Sequence, residues 1–343
     1  MRTLGLAFGP TGGHLIPACL VAQCWIDQTR GDVLLFSSAD PGHPILQQYQ
    51  LPYNQVNFRP WTGTPVKRVL NFVSLISSYG HLRSQLTEMD VVLGLGGYSS
   101  VPVMGIAREQ GIPTFIQEQN RIVGRANKLF MPGTFHTFFG FPPGDSHQFR
   151  GKYSITGNPV RRQQPIADSW FKNSSLLVVF GGSQGAADLS RYLEQSGKRL
   201  LSRGWHIYYV RGNHGHSLTR HFSGYRGQFR EVELNPDLPS ILAQANCVWG
   251  RAGAGTISEL IAYDIPALLF PYPYAADAHQ HENARWAQQH GPARVMDSTN
   301  PSIDDMIQYT RMFATGNATY DVPWDSTIPS EQRIVREIRN WFQ

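Results

Sequence analysis

Three groups of residues have types and spacing suited to chemistry. The first is Gly9-Pro10-Thr11-Gly12-Gly13-His14, a glycine turn that ends in an imidazole. A glycine-rich turn ahead of a helix lets backbone N–H groups and the helix dipole approach a phosphate. A helix N-terminus also disfavours imidazolium, so His14 offers a neutral ring near pH 7 that can take a proton from an attacking hydroxyl. Binding phosphate or capping the turn is its competing use. The second is Glu118, which follows the apolar run Pro113–Ile116. It falls at the carboxyl end of a strand, where doubly wound sheets hold ligands; a plain strand-end turn is the alternative. The third is Gly253-Ala254-Gly255-Thr256 with Glu259 one turn further on. Helix N–H groups there can cradle a phosphate, and a carboxylate can accept from both hydroxyls of a cis-diol. A dipole-favoured acid in the first turn is the bland reading of Glu259.

The elements that must position these groups repeat one device four times. Leu4–Phe8 runs into Gly9–Gly13 and a helix over Leu15–Ile26. Val91–Leu93 runs into Gly94-Leu95-Gly96-Gly97 and a helix near Val101–Gln110. Leu176–Phe180 runs into Gly181-Gly182-Ser183-Gln184-Gly185-Ala186 and a helix through Leu201. Cys247–Trp249 runs into Gly250–Gly255 and a helix over Thr256–Tyr263. Strand, glycine turn, helix is the βα unit of a parallel, doubly wound sheet. Two such units in each half predict an α/β chain of two similar Rossmann-like domains facing each other across a cleft, residues 1–160 and 161–329. The stretch 142–175, with Pro142-Pro143-Gly144-Asp145, Asn158-Pro159 and Gln163-Gln164-Pro165, reads as loop chemistry between them. In the tail, Ile334, Ile338, Trp341 and Phe342 fall at helical spacing. They predict an amphipathic helix over 330–343, with Ser330 as N-cap, that packs back on the first domain near the joint.

Composition excludes several classes. A chain of 343 residues, 41% hydrophobic, can bury two cores. The formal charge of +5 suits anionic ligands or an acidic membrane surface. Lys and Arg are scattered with no basic block, so nucleic acid is not an expected partner. The three cysteines, Cys19, Cys24 and Cys247, fit neither a zinc site nor a redox pair, and point to a reducing cytosol. No Gly-x-x-x-x-Gly-Lys-Ser/Thr occurs, and no Gly-x-Gly-x-x-Gly with a following acid comes after the first strand. A P-loop hydrolase and a dinucleotide oxidoreductase are disfavoured. With no Asp-x-Asp pair to carry a metal–diphosphate complex, the expectation is no metal and no cofactor.

Seven blocks occur in order: Gly9–His14, Gly96-Gly97-Tyr98, Gln117-Glu118-Gln119-Asn120, Thr156–Arg161, Gly181–Ala186, Arg251–Glu259 and Asp277–Ala284. Together they span almost the whole chain and resemble the MurG family of N-acetylglucosaminyltransferases, in glycosyltransferase family 28. The resemblance implies a GT-B fold and transfer of N-acetylglucosamine (GlcNAc) from UDP-GlcNAc to a lipid-linked acceptor, the muramoyl-pentapeptide on undecaprenyl diphosphate. It also implies inversion at the sugar carbon without a metal, and work at the cytoplasmic face of the inner membrane beside other cell-wall synthesis proteins. By this resemblance His14 is the candidate base, and Glu118 a second carboxylate near the acceptor. Gly13, His14, Gly96, Gly97 and Tyr98 face the acceptor. The donor falls to Thr11, Gly12, Gly13, Asn120, Arg161, Ser183, Gln184, Ala254, Gly255, Thr256, Ile257, Ser258 and Glu259. In that set Glu259 takes the ribose hydroxyls and Arg161 the diphosphate charge. His279 and Gln280 match the sugar-reading pair, and Asn235 falls near the uracil loop.

Pro10, Val101, Gln117, Ala252 and Gly255 depart from the usual pattern and leave room for an altered donor or acceptor. Another UDP-sugar enzyme of the same fold, a glycolipid synthase or a UDP-GlcNAc 2-epimerase, is one rival reading. A silent nucleotide-sugar-binding protein is the other. Lys67 and Arg68 beside Val69, Leu70 and Phe72 have the composition of a peripheral, anionic-membrane docking face; an ordinary core helix is the alternative.

Overall fold

The apolar runs become parallel strands buried on both faces, which is why they read as continuous rather than alternating. The computed structural model describes residues 1–56, 58, 79–144, 151–165, 170, 174–182, 185–274, 278–314 and 319–343. Its chain forms two compact units, Met1–Val160 with Trp324–Gln343, and Arg161–Pro323.

The first unit holds a seven-stranded sheet built from β1 (Thr3–Phe8), β2 (Asp32–Ser37), β3 (Tyr53–Gln55), β4 (Val91–Gly94), β5 (Thr114–Glu118), β6 (His136–Phe139) and β7 (Tyr153–Ile155). Their order is β3-β2-β1-β4-β5-β6-β7, and every pairing is parallel. On β1, Leu6 pairs with Leu35 on one side and Leu93 on the other. Because side chains alternate along a strand, Leu4, Leu6 and Phe8 enter one core with the helix Gly12–Thr29. Ala7 enters the other, with Val103 and Met104 of the helix Ser100–Glu109.

The second unit holds six parallel strands: β8 (Leu176–Phe180), β9 (His206–Val210), β10 (Phe229–Val232), β11 (Cys247–Gly250), β12 (Ala267–Leu269) and β13 (Ala293–Val295), ordered β10-β9-β8-β11-β12-β13. Counted within each unit, both sheets run 3-2-1-4-5-6, and the first adds a seventh strand at its edge. Each is Rossmann-like, with its switch point between its first and fourth strands. The glycine turns that follow β1, β4, β8 and β11 therefore flank the two switch points.

The tail helix is Ser330–Trp341. It belongs to the first unit, where Ile334, Val335 and Ile338 are fully buried against Leu4, Leu6 and Trp25. Two expectations are corrected. Pro329, not Ser330, is the N-cap; Ser330 is the first helical residue, and its hydroxyl accepts from Arg333 Nη2 at 3.1 Å. The stretch 142–175 is not all linker, because β7 lies inside it and the units meet at Val160/Arg161. Three residues flanked by turn chemistry give too short a pattern to read as a strand.

Candidate functional site

In the first unit, the loops after β1, β4 and β5 converge at the carboxyl edge of the sheet. The helix after β1 begins at Gly12, so His14 is its third residue. Its ring packs on Gly9, where an added Cβ would stand 3.2 Å from Nδ1. Gly9 in turn meets Gly97. Gly97 has φ +81°, and a Cβ there would stand 2.5 Å from Gly9 Cα, so only glycine fits the approach. Ser99 Oγ clamps the two loops by donating to the Phe8 carbonyl at 2.7 Å. Tyr98, between the glycine pair and the clamp, is half exposed. Gly96 faces the Asn127 amide, and Asn127 Nδ2 donates to Glu118 Oε2 at 2.9 Å. An unbroken line of contacts thus links His14, Gly96, Gly97 and Glu118.

His14 Nδ1 shares a 2.8 Å hydrogen bond with Thr11 Oγ1. If Nδ1 carries the proton and donates, Nε2 keeps a lone pair for a proton acceptor's role. Burial pushes the imidazole down to about 4, so the ring is neutral at physiological pH. Desolvation thus adds to the helix-start position in favouring the neutral ring. No side chain caps this helix, and Cβ atoms at Gly12 and Gly13 would meet open space, which leaves their backbone approachable by a ligand.

Glu118 is buried, and its carboxylate is engaged by its own loop. Oε1 accepts from the Asn120 N–H at 2.9 Å, and Oε2 from the Gly124 N–H at 2.9 Å and from Asn127. Burial raises its pKa, and these donors oppose the rise. Its neighbours form a buried amide network: Gln117 donates to Asn158 Oδ1 at 2.8 Å, Asn158 to the Gln119 carbonyl at 3.0 Å, and Gln119 to the Leu95 carbonyl at 3.0 Å. Glu118 organises the 119–124 turn, and Asn120 is held within that turn by its backbone.

In the second unit, the helix Ala254–Ala262 follows β11 with Gly253 as N-cap, no capping side chain and no acid in its first turn. Its first bond runs from the Ile257 N–H to the Gly253 carbonyl at 3.1 Å. The amides before it, on Ala254, Gly255 and Thr256, lie at a free helix start. Ile257 and Ser258 are buried beneath it, and Ser258 Oγ donates to the Ala254 carbonyl at 2.8 Å. One turn on, burial lifts Glu259 to about 7, against the pull of the nearby Arg161 charge. No hydrogen bond reaches the Glu259 carboxylate among the described residues. Arg161 Nη1 donates to the Pro236 carbonyl at 2.8 Å, while its Nε is buried with no partner among the described residues. Gln280 Oε1 accepts from the Tyr272 N–H at 2.8 Å, beside His279 at the start of the helix His279–His290. The Asn235 side chain turns inward: Nδ2 donates to Tyr208 Oη at 2.9 Å and Oδ1 accepts from the Asp237 N–H at 2.9 Å. Ser183, Gln184 and the candidate docking face, Lys67, Arg68, Val69, Leu70 and Phe72, lie outside the described residues.

Residues 4–138 match the glycosyltransferase family 28 N-terminal domain, and residues 176–321 match that family's C-terminal domain. The chain belongs to glycosyltransferase family 28. Among its relatives, a UDP-N-acetylglucosamine–N-acetylmuramyl-(pentapeptide) pyrophosphoryl-undecaprenol N-acetylglucosamine transferase of Prochlorococcus marinus is 31% identical over 308 residues, covering 88% of this chain and 85% of the relative. The enzyme of that name from Carboxydothermus hydrogenoformans is 31% identical over 329 residues, with 88% and 86% covered. The motif blocks therefore identified the family correctly. Acinetobacter baumannii MurG has the same fold, with a TM-score of 0.72 at 20% identity over 99% of this chain and all of that one. So does Staphylococcus aureus MnaA solved with UDP, with a TM-score of 0.67 at 13% identity over 100% of this chain and 97% of that one. Both support the GT-B class.

Sequence reasoning missed three side chains of this family 28 member. Asn127 links the Gly96 turn to Glu118, but an asparagine inside a short helix carries no outward mark. Arg251 was only a block boundary; its guanidinium grips Asp188 at 2.7 and 2.8 Å across the second switch point. Tyr263 read as the last residue of a helix, yet its hydroxyl accepts from the Gln163 N–H, 100 residues away in the chain, at 2.8 Å.

Proposed function

We propose that this chain transfers GlcNAc from UDP-GlcNAc to undecaprenyl-diphosphate-N-acetylmuramoyl-pentapeptide (lipid I), giving lipid II, with inversion and without a metal. The observation that carries the donor half is the buried Glu259 carboxylate, under the influence of the Arg161 charge, beside an uncapped helix start. A carboxylate that no donor among the described residues reaches suits a ribose diol, free helix amides suit a phosphate, and a guanidinium suits the diphosphate charge. The names of the 31% identical relatives support the choice of sugar and acceptor.

In the proposed reaction an acceptor sugar hydroxyl attacks the anomeric carbon of GlcNAc. The new C–O bond forms as the bond to the β-phosphate oxygen breaks, UDP leaves with that electron pair, and the hydroxyl proton passes to Nε2 of neutral His14. Gly96, Gly97 and Tyr98 line the acceptor side of the same loop cluster, and Glu118 acts by holding the 119–124 turn in shape. His279 and Gln280 read the donor sugar, and Gln280 keeps its amide N–H2 available because its oxygen is already engaged. Work at an anionic membrane surface is part of the proposal, since the acceptor carries a lipid. No helix among the described residues is long and apolar enough to cross a membrane.

The deciding experiment incubates the protein with labelled UDP-GlcNAc, with and without a lipid I analogue. Label that moves to the lipid only when the analogue is present supports the proposal. Epimerised sugar without acceptor assigns the chain to another UDP-sugar enzyme of this fold, and binding without turnover makes it a nucleotide-sugar-binding protein.

A further inference from the structure

Residues 161–163 open the second unit without a strand or helix of their own. Their conformation is held from outside. The Tyr263 hydroxyl accepts from the Gln163 N–H at 2.8 Å, and its own hydrogen lies between the Arg161 carbonyl at 3.3 Å and the Gln163 carbonyl at 3.5 Å. A phenol can do both because it is donor and acceptor at once. Ser240 adds a 2.8 Å bond to the Gln163 side chain. The far end of the Arg161 side chain is fixed separately, on the Pro236 carbonyl. Tyr263 also stands one turn beyond Glu259, following the helix Ala254–Ala262, so a single element presents the carboxylate and anchors the backbone from which Arg161 projects. Arg161 is the charge that holds Glu259 down against burial.

We propose that Tyr263 is a positioning residue of the donor site: its hydroxyl fixes the backbone at 161–163 so that Arg161 stays beside Glu259 before the nucleotide sugar arrives. The inference rests on the donor-site reading above and adds to it a group that touches no substrate. Its physical content is preorganisation. An arginine has many rotamers, and a binding site that must order one on ligand arrival binds more weakly than one that holds it ready. Burial raises the Tyr263 phenol pKa, so the hydroxyl keeps its proton, and with it both bonds, over the working pH range.

The test is Tyr263→Phe, which removes one oxygen and keeps the ring, compared with Arg161→Met, the Arg161→Met/Tyr263→Phe double variant and Glu259→Gln. UDP binding is measured by calorimetry and turnover with UDP-GlcNAc and a lipid I analogue. Tyr263→Phe is expected to raise the UDP Kd and the UDP-GlcNAc KM about 5-fold, the worth of one net hydrogen bond, with kcat changed less than about 2-fold. In the Arg161→Met background the same change is expected to add nothing. An unchanged KM overturns the inference. So does an equal loss in the Arg161→Met background, which would make Tyr263 a general support of the fold. If Glu259→Gln binds UDP as tightly as the native chain, the donor-site reading itself is wrong and the inference falls with it.

Discussion

At the scale of single residues, the two titrating groups behave in opposite senses. Burial puts His14 at about 4 and Glu259 at about 7. A histidine base with an ordinary pKa near 6.5 would give an acid limb in that region. Here His14 stays neutral well below it, while Glu259 gains its charge as the pH rises through about 7. The charged carboxylate is the better acceptor for two ribose hydroxyls, so UDP affinity should rise with pH through about 7. The rise should vanish in Glu259→Gln, measured by calorimetry across that range. Linkage gives the matching sign for stability: the folded chain keeps the Glu259 proton where the unfolded chain, with its pKa of 4.5, has lost it. This group's contribution to stability therefore falls as the pH rises between 4.5 and about 7. His14→Ala should lower turnover by about 10²–10⁴-fold and leave UDP binding unchanged, because Arg161, Glu259 and the helix start proposed to hold the nucleotide lie in the other unit. Near-normal turnover would remove His14 from the mechanism.

At the scale of elements, the four glycine turns were legible because each follows a short apolar run and precedes a helical pattern. A turn of that kind needs small residues for local reasons. Of the other strands, only β5, ahead of Glu118, was read. β9 and β13 carry polar members such as His206 and Arg294, and β3, β7 and β12 are three residues long. Gly97 shows what the turns are for. Gly97→Ala must move the Gly9 backbone or abandon its own positive φ, at a cost of about 1–3 kcal/mol. Since that movement also displaces His14, activity should fall more than stability does; urea unfolding and turnover measured on one sample distinguish the two losses. The tail helix offers a contrast far from the reacting groups. Ile338→Ala removes fully buried atoms and should cost about 2–5 kcal/mol while leaving the KM for UDP-GlcNAc unchanged at temperatures where the chain is folded.

At the scale of the whole molecule, the chain builds its first unit from both ends and its second from the middle. Pro323/Trp324 is where the chain returns to the first unit, and Arg333 secures the return by donating through Nε to the Thr156 carbonyl at 2.9 Å. Ending the chain after Pro323 would expose the core face of Leu4, Leu6 and Trp25 that Ile334, Val335 and Ile338 cover. Calorimetry should then show the first unit melting earlier while the second keeps its transition. The net charge of +5 and a lipid-bearing acceptor predict sedimentation with anionic vesicles at low salt, weakened as salt screens the attraction. Failure to sediment under those conditions would remove the docking proposal.

The sequence by itself determined the class of fold and the family, because these depend on short local patterns: glycine where backbone must come close, a strand before it, a helix after it. It could not determine the surroundings of the candidate site residues. Only the tertiary structure showed that desolvation lowers the His14 pKa, since burial depends on what packs around a ring. It likewise showed that the carboxylate of Glu118 is taken up by the amides of its own turn, and that no donor among the described residues reaches Glu259. The same holds for Tyr263 and Gln163, one hundred residues apart, where no pattern along the chain records that one hydroxyl holds the other's backbone.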